Sequence, residues 1–252
     1  MLLSSEILAT SMTREDKLQG VIVQERDASL SHAPPPSNRG TLQHIDLRTK
    51  EEQVADYLRE GIISGMFPRG SRLKQAEIAE RLQLSITPVR EALKLLEAEG
   101  YVTGNSYRGA RVVPFDASAS EEVLELRLLL ESRLLRGTAE KITARDIVEL
   151  RALADEFERA FDVGDRAAAR GVNYRLHRRL YGIADMPQTL HFVQILWARY
   201  PFDLINAVEG RGKEAAKEHD EILNALLDGD ASAAMLAMRK HIESGWSLLK
   251  AT

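Results

Sequence analysis

Apolar positions first settle into a regular pattern at residue 49. Val54, Leu58 and Ile62 recur at four-residue spacing behind Thr49 and Glu52, the pair that makes a capping box at a helix start. Gly65, Pro68 and Gly70 interrupt that helix. Ser71-Arg72-Leu73 then reads as a very short strand, Ile78 and Leu82 mark a second helix over about 75–82, and a third begins near Ser85 or Thr87 with Pro88 in its first turn. Its apolar stripe, Val89, Ala92, Leu93 and Leu96, runs out at Gly100. Two β-prone runs at 101–103 and 110–113 follow, joined by a glycine-bounded loop, which is a hairpin signature. From Ser118 the period is helical, with breaks near Thr143, Gly164-Asp165, Met186-Pro187, Gly210 and Gly229-Asp230. The chain is expected to be mainly α, with a small helix-and-hairpin unit followed by an all-α bundle of about six helices.

This divides the sequence into an N-terminal tail at 1–47, a small domain at 48–115 and a helical domain at 116–252. The tail shows no sustained period and contains Ser-His-Ala-Pro-Pro-Pro-Ser-Asn-Arg-Gly at 31–40, which favours extended, flexible backbone. The 252 residues are 44% hydrophobic and 29% charged, the composition of an ordinary globular protein, and with 6% aromatics the balance leans to helix. The absence of cysteine excludes disulfides, thiolate ligands and a Cys nucleophile. No apolar run approaches the roughly 20 residues of a membrane span, and the N-terminus lacks the order of a signal peptide, so a cytoplasmic location with no membrane partner is expected. The net charge of −4 sits mostly in the helical domain, with 19 basic and 23 acidic residues, whereas 49–115 carries 10 basic and 9 acidic. A nucleic-acid partner would therefore depend on where the small domain places its cations, doubled by dimerisation.

Helix, short helix, tight turn, third helix and hairpin is the order of a winged helix-turn-helix, whose third helix enters the major groove. Arg90 and Lys94 lie one turn apart opposite the Val89–Leu93–Leu96 stripe and are expected to project outward. Thr87 sits at the helix start, where an anion is favoured. Arg108 and Arg111 on the wing are placed to reach a phosphate or the minor groove. The competing reading is a solvated helix face, with Glu91 and Lys94 an ordinary three-apart pair.

Leu73 to Leu96 reads LKQAEIAERLQLSITPVREALKLL, followed by EAEGYV and a wing ending RGARV. This resembles the DNA-binding domain of the GntR family over its whole length, and the Thr-Pro-Val-Arg-Glu-Ala-Leu run at 87–93 is highly specific. The resemblance implies that Thr87 and Arg90 contact DNA from the recognition helix and that Gly109 stands at the wing tip. Three positions depart from the pattern. Ile86 stands where an Arg is common, Ala76 where a basic contact is frequent, and Gln83 in place of the usual turn glycine. Arg72, Lys74 and the wing are the candidates to supply the missing charge.

The helical domain carries Asn173-Tyr174-Arg175-Leu176-His177, Glu218-His219-Asp220-Glu221-Ile222 and Met238-Arg239-Lys240-His241. These resemble motifs of the FCD domain in the FadR branch of that family, and about six helices suggests its shorter, VanR-like form. The resemblance implies a divalent metal, Zn²⁺ or another imidazole-preferring ion such as Ni²⁺, held by Asn173, His177, His219 and His241 beside an effector. Spacing gives independent support. Asn173 and His177 share a helix face, and His219 and His241 each lie about 15–17 Å from the turn between their helices at 1.5 Å per residue, so their rings are level. Three His and an open position suit Zn²⁺. His191, unmatched, is expected to be a packing residue. Arg127 and Glu131 match a recurring Arg and Glu, and Arg127 either receives an effector carboxylate or forms an intrahelical pair.

The expected function is that of an operator-binding homodimer, a repressor, which reads double-stranded DNA under control of a small carboxylate effector. Two alternatives stand beside it: a metal-dependent hydrolase-like enzyme, which three His and an open position would permit, and a DNA-binding dimer without effector control.

Overall fold

The computed structural model describes residues 49–104, 109–115, 120–200, 202 and 210–247. The expected tail at 1–47 and the wing residue Arg108 lie outside them. The described residues fall in a single compact unit, Leu47–Thr252.

Helix α1, Lys50–Ser64, starts where the capping box places it. Thr49 N–H donates to Glu52 Oε2 at 2.9 Å and Glu52 N–H donates to Thr49 Oγ1 at 3.3 Å. Gly65 ends it in the left-handed conformation, φ 84°. Val54, Ala55, Leu58 and Ile62 bury one face against α3, Ile86–Ala98, which returns Val89, Ala92, Leu93 and Leu96. Between them lies α2, Gln75–Leu82, and the turn into α3 places Gln83 at φ 55°, the conformation that explains why glycine is usual there.

Strands β1 (Arg72–Leu73), β2 (Val102–Thr103) and β3 (Ala110–Val112) form an antiparallel sheet in the order β1-β3-β2, with Arg72 opposite Arg111 and Val102 opposite Val112. Tyr101 precedes β2 as a buried anchor, its hydroxyl donating to the Gln194 carbonyl at 2.9 Å. Gly109 has φ 95°, and a Cβ there would come within 2.9 Å of the Leu73 carbonyl oxygen. Only glycine lets the wing close on β1.

Six helices follow among the described residues: α4 Ser120–Lys141, α5 Ala144–Asp162, α6 Arg166–Gly182, α7 Pro187–Ala198, α8 Arg211–Leu227 and α9 Ala231–Ser247. Every break falls at a residue that disfavours helix or caps one, as at Thr143, which makes a second capping box with Asp146. The molecule is mainly helical, a winged helix-turn-helix followed by a six-helix bundle.

Helix α6 faces both parts. Its Ala169, Val172, Leu176 and Leu180 pack into the bundle, while Arg170, Arg175 and Arg178 reach the Ser64 carbonyl, Glu60 and Asp56 on α1. A second clamp comes from Arg69, which donates to the Tyr200 carbonyl at 2.7 Å and the Ala198 carbonyl at 3.4 Å.

Candidate functional site

Three histidines from three helices converge in the bundle. His177 on α6, His219 on α8 and His241 on α9 are buried, and one ring nitrogen of each lies within 4.8 Å of the other two. The ring centroids stand 4.9 Å (His219–His241), 5.1 Å (His177–His241) and 5.4 Å (His177–His219) apart. His219 Nδ1 and Nε2 and His177 Nδ1 are buried without a hydrogen-bond partner. Burial, reinforced by neighbouring cations, pushes all three rings below the ordinary 6.5, so they are neutral at pH 7 with lone pairs free. Side-chain rotation would close their spread to the about 3.3 Å nitrogen separation that a tetrahedral ion requires.

The fourth expected residue borders a cavity beside the cluster. Asn173, one turn before His177, lines the same cavity, and its Oδ1 is buried with no donor. An orphaned acceptor beside orphaned imidazoles fits a cation or the ligand of one, because leaving such groups unpaired costs about 1–3 kcal/mol each.

Sequence reasoning missed the support behind His241. Glu218 is fully buried on α8, and its Oε2 lies 2.8 Å from His241 Nδ1 while Ser244 Oγ donates to Oε1 at 2.6 Å. Arg211 Nη1 donates to the same Oε2 at 2.7 Å. Burial opposes ionisation of Glu218, but the His241 and Ser244 contacts and the Arg211 charge outweigh it and hold its carboxyl at about 2. With Nδ1 engaged, Nε2 of His241 is left for the cluster, the arrangement by which a carboxylate orients a metal-binding imidazole. The signal was the seven-residue interval from Arg211 to Glu218, two turns on one helix face.

Arg127 forms the expected intrahelical pair. Its Nε donates to Glu131 Oε1 at 2.6 Å, whereas its buried Nη1 has no acceptor. Glu131, fully buried, also accepts from Tyr181 and from Trp197 Nε1. The guanidinium lies 4.1 Å over the Tyr200 ring. Arg127, Asn173, His177, Tyr200, Arg211 and His241 share a cavity of about 30 Å³. That holds one or two waters, so an organic ligand has to displace side chains to enter.

The reading face is only partly as expected. Thr87 and Ile86 are exposed at the start of α3, where Ser85 makes no side-chain cap. Arg90, expected to project outward, is half-buried, because it borders Val89 on the packed side of α3. Lys94 is exposed but lies 2.9 Å from Glu91, and Lys74 lies 2.6 Å from Glu77, so both charges are neutralised locally. Arg72 and Arg111 are exposed on paired strands, with Arg111 donating to the Gly70 carbonyl. His191 is exposed, not packed, because α7 buries Val193, Leu196 and Trp197 instead.

Residues 50–112 match the profile of bacterial regulatory proteins of the gntR family, and residues 122–244 match the FCD domain. The chain belongs to the GntR family and carries an FCD domain. Relatives of this GntR regulator include the HTH-type transcriptional regulator McbR of Escherichia coli (strain K12), 28% identical over 194 residues that cover 75% of this chain and 84% of McbR. The Uxu operon transcriptional regulator of the same organism is 29% identical over 222 residues, 77% of this chain and 84% of its own. The solved structure of E. coli McbR/YncC shares the fold with TM-score 0.71 and 24% identity over 81% of this chain and 99% of that one. A GntR regulator from Rhodococcus sp. RHA1 gives TM-score 0.62 at 22% identity over 81% and 99%. The GntR chain is a DNA-binding transcription regulator, not an enzyme. Among the described residues no helix is long and apolar enough to cross a membrane.

Proposed function

We propose that this regulator is a homodimeric repressor that reads an inverted repeat, and that a divalent metal and a small organic acid in the bundle control its grip on DNA. The carrying observation is a cavity lined by three buried unpaired atoms, His177 Nδ1, Asn173 Oδ1 and Arg127 Nη1, with the unpaired His219 ring in the same histidine cluster as His177. Three neutral imidazoles suit Zn²⁺, or Ni²⁺ in its place. When bound, such an ion keeps its positive charge and an open position, which favours an anion. Arg127 Nη1 would donate to the acid's carboxylate, Asn173 Oδ1 would accept from a donor on it, and Arg211, which lines the same cavity, would add charge. The six bundle helices agree with the shorter, VanR-like form of the FCD domain.

Coupling to DNA follows from what the site residues touch. An acid that widens a cavity of about 30 Å³ moves Tyr200 or Arg127, and Tyr200 is held by Arg69 of the winged domain. Asn173 and His177 ride on α6, whose arginines clamp α1. A winged domain clamped to the bundle in this way would change half-site spacing when the bundle repacks. DNA is met through Thr87 and the helix start, Arg90, Lys94, Arg72, Lys74, Gly109 and Arg111, with Arg108 in the wing loop. Lys94 and Lys74 must exchange Glu91 and Glu77 for phosphate. Operator DNA as the partner implies a cytoplasmic location.

Elemental analysis of the purified chain, with His219→Ala and His241→Ala beside it, tests the reading. Up to one metal per wild-type chain and none in the variants supports it, and a metal-free wild type that resists reloading overturns it.

A further inference from the structure

Tyr174 on α6 is 2% exposed, and its hydroxyl is buried without a hydrogen-bond partner among the described residues. Burial pushes that hydroxyl up to about 12, so at pH 7 it is a neutral group with a proton to donate. A buried hydroxyl left unpaired costs stability that the ring alone would not. Its surroundings show which acceptor stands nearby.

Arg170, Tyr174 and Arg178 follow one another at four-residue intervals on the face of α6 that meets α1. One turn before Tyr174, Arg170 donates to the Ser64 carbonyl, and one turn after it Arg178 donates to Asp56 Oδ2 at 2.7 Å. The other oxygen of Asp56 accepts from Arg59, which in turn grips Glu99 with two bonds of 2.6 Å, Nε to Oε2 and Nη2 to Oε1. Arg59 and Glu99 are buried, and Glu99 caps the C-terminus of the recognition helix α3. Arg178, Arg59, Asp56 and Glu99 are the charges that act on the Tyr174 hydroxyl. Each carboxylate oxygen has two lone pairs, so Glu99 can accept a further donor beside Arg59. On its other side Tyr174 belongs to the cavity, which it lines with His177 and Trp197, its ring packed edge-on against Trp197 at 5.6 Å. The flanking arginines pin the α6 backbone to α1, so the Tyr174 ring is the part of this wall that yields to a ligand too large for about 30 Å³.

We propose that Tyr174 is a relay between the cavity and the recognition helix: its hydroxyl donates to Glu99 when DNA is bound and loses that acceptor when a ligand turns the ring. The assignment deepens the ligand-control reading above and stands beside the Arg69 clamp. Tyr174 is a positioning residue, acting on α3 through Glu99. DNA and ligand then compete for one side chain, which gives the negative coupling of a repressor released by its effector. Tyr101 offers a second path from the winged domain to α7, but its hydroxyl already holds the Gln194 carbonyl at 2.9 Å and has no missing partner to gain.

The test compares full-length wild type with Tyr174→Phe, without metal or acid, on a duplex that wild type enriches from a random-sequence pool. Because the hydroxyl is unpaired in the free protein, Tyr174→Phe should melt no lower than wild type. It should nevertheless bind the duplex roughly tenfold more weakly, the loss expected for one hydrogen bond to a charged group, with an unchanged salt dependence because no phosphate contact is touched. In a Trp246→Phe background Trp197 is the one remaining tryptophan. Its emission should shift when the duplex binds, keep that shift in Tyr101→Phe and lose it in Tyr174→Phe. A Tyr174→Phe protein that melts lower and binds the duplex as wild type does would make Tyr174 a purely structural residue and overturn the relay. A Trp197 shift that survives Tyr174→Phe would overturn it equally. Neither metal nor acid is present in these measurements, so such a failure strikes the relay alone, while the metal reading stands or falls on the elemental analysis.

Discussion

His241 Nδ1 lies 2.8 Å from the buried carboxylate of Glu218, a contact that decides which nitrogen of the ring remains for an ion. Removing the charge while keeping an acceptor, as in Glu218→Gln, should leave the fold intact and weaken metal binding about 10–100-fold. Competition against a chelator of known affinity measures this. Equal affinity in the variant would detach Glu218 from the site.

The pH dependence of the metal-free protein follows from the same burial. Folded His177, His219 and His241 resist protonation, whereas the unfolded chain takes up protons near 6.5. The unfolded state thus gains protons first, and stability should fall as pH drops below 6.5 and stay level with respect to these groups above it. Each ring that remains neutral costs about 1.4 kcal/mol per pH unit below that point. Melting temperatures of chelator-treated protein between about pH 5 and 8 read this out, and a profile flat across pH 6 would show that the cluster opens to water.

The Tyr200 carbonyl is held by Arg69 at 2.7 Å while its ring lies under Arg127 at 4.1 Å. Arg69→Ala should bind an organic acid about as well as wild type yet lose most of the acid's effect on DNA affinity. Calorimetry with the acid and a parallel operator titration separate the two quantities. Undiminished coupling would place the link elsewhere, most directly on the α6 arginines.

Gln83 occupies a left-handed turn, φ 55°. An L side chain there costs about 1–2 kcal/mol, and glycine recovers part of that after its own entropy cost. Gln83→Gly should stabilise the protein by up to about 1 kcal/mol in chemical denaturation. A destabilised variant would mean that the glutamine side chain holds the turn.

The helix boundaries were legible because Thr143, Gly164, Pro187, Gly210 and Gly229 mark them chemically. The histidine cluster was legible because four-residue spacing on α6 and equal distances from the α8–α9 turn are geometric statements. Glu218 and Arg211 were not, since an acid beside His219 reads as a solvated helix residue until the rotation of α8 against α9 is known. Arg90 is more covered than the stripe alone suggests for a similar reason: periodicity gives the centre of a buried stripe but not its width. His191 stands outside the cluster as expected, but exposed, because the packing of α7 is carried by Val193, Leu196 and Trp197.

The account turns on whether the bundle site governs DNA binding. The decisive measurement is the operator affinity of the metal-loaded protein for its own upstream DNA at fixed salt, with and without the carboxylic acid that most raises its melting temperature, beside His219→Ala under the same conditions. The account predicts a change of about 5–150-fold in wild type, the range of ordinary allosteric coupling, and none in the variant. An acid that binds wild type but leaves its operator affinity unchanged, or changes that of His219→Ala equally, would contradict it.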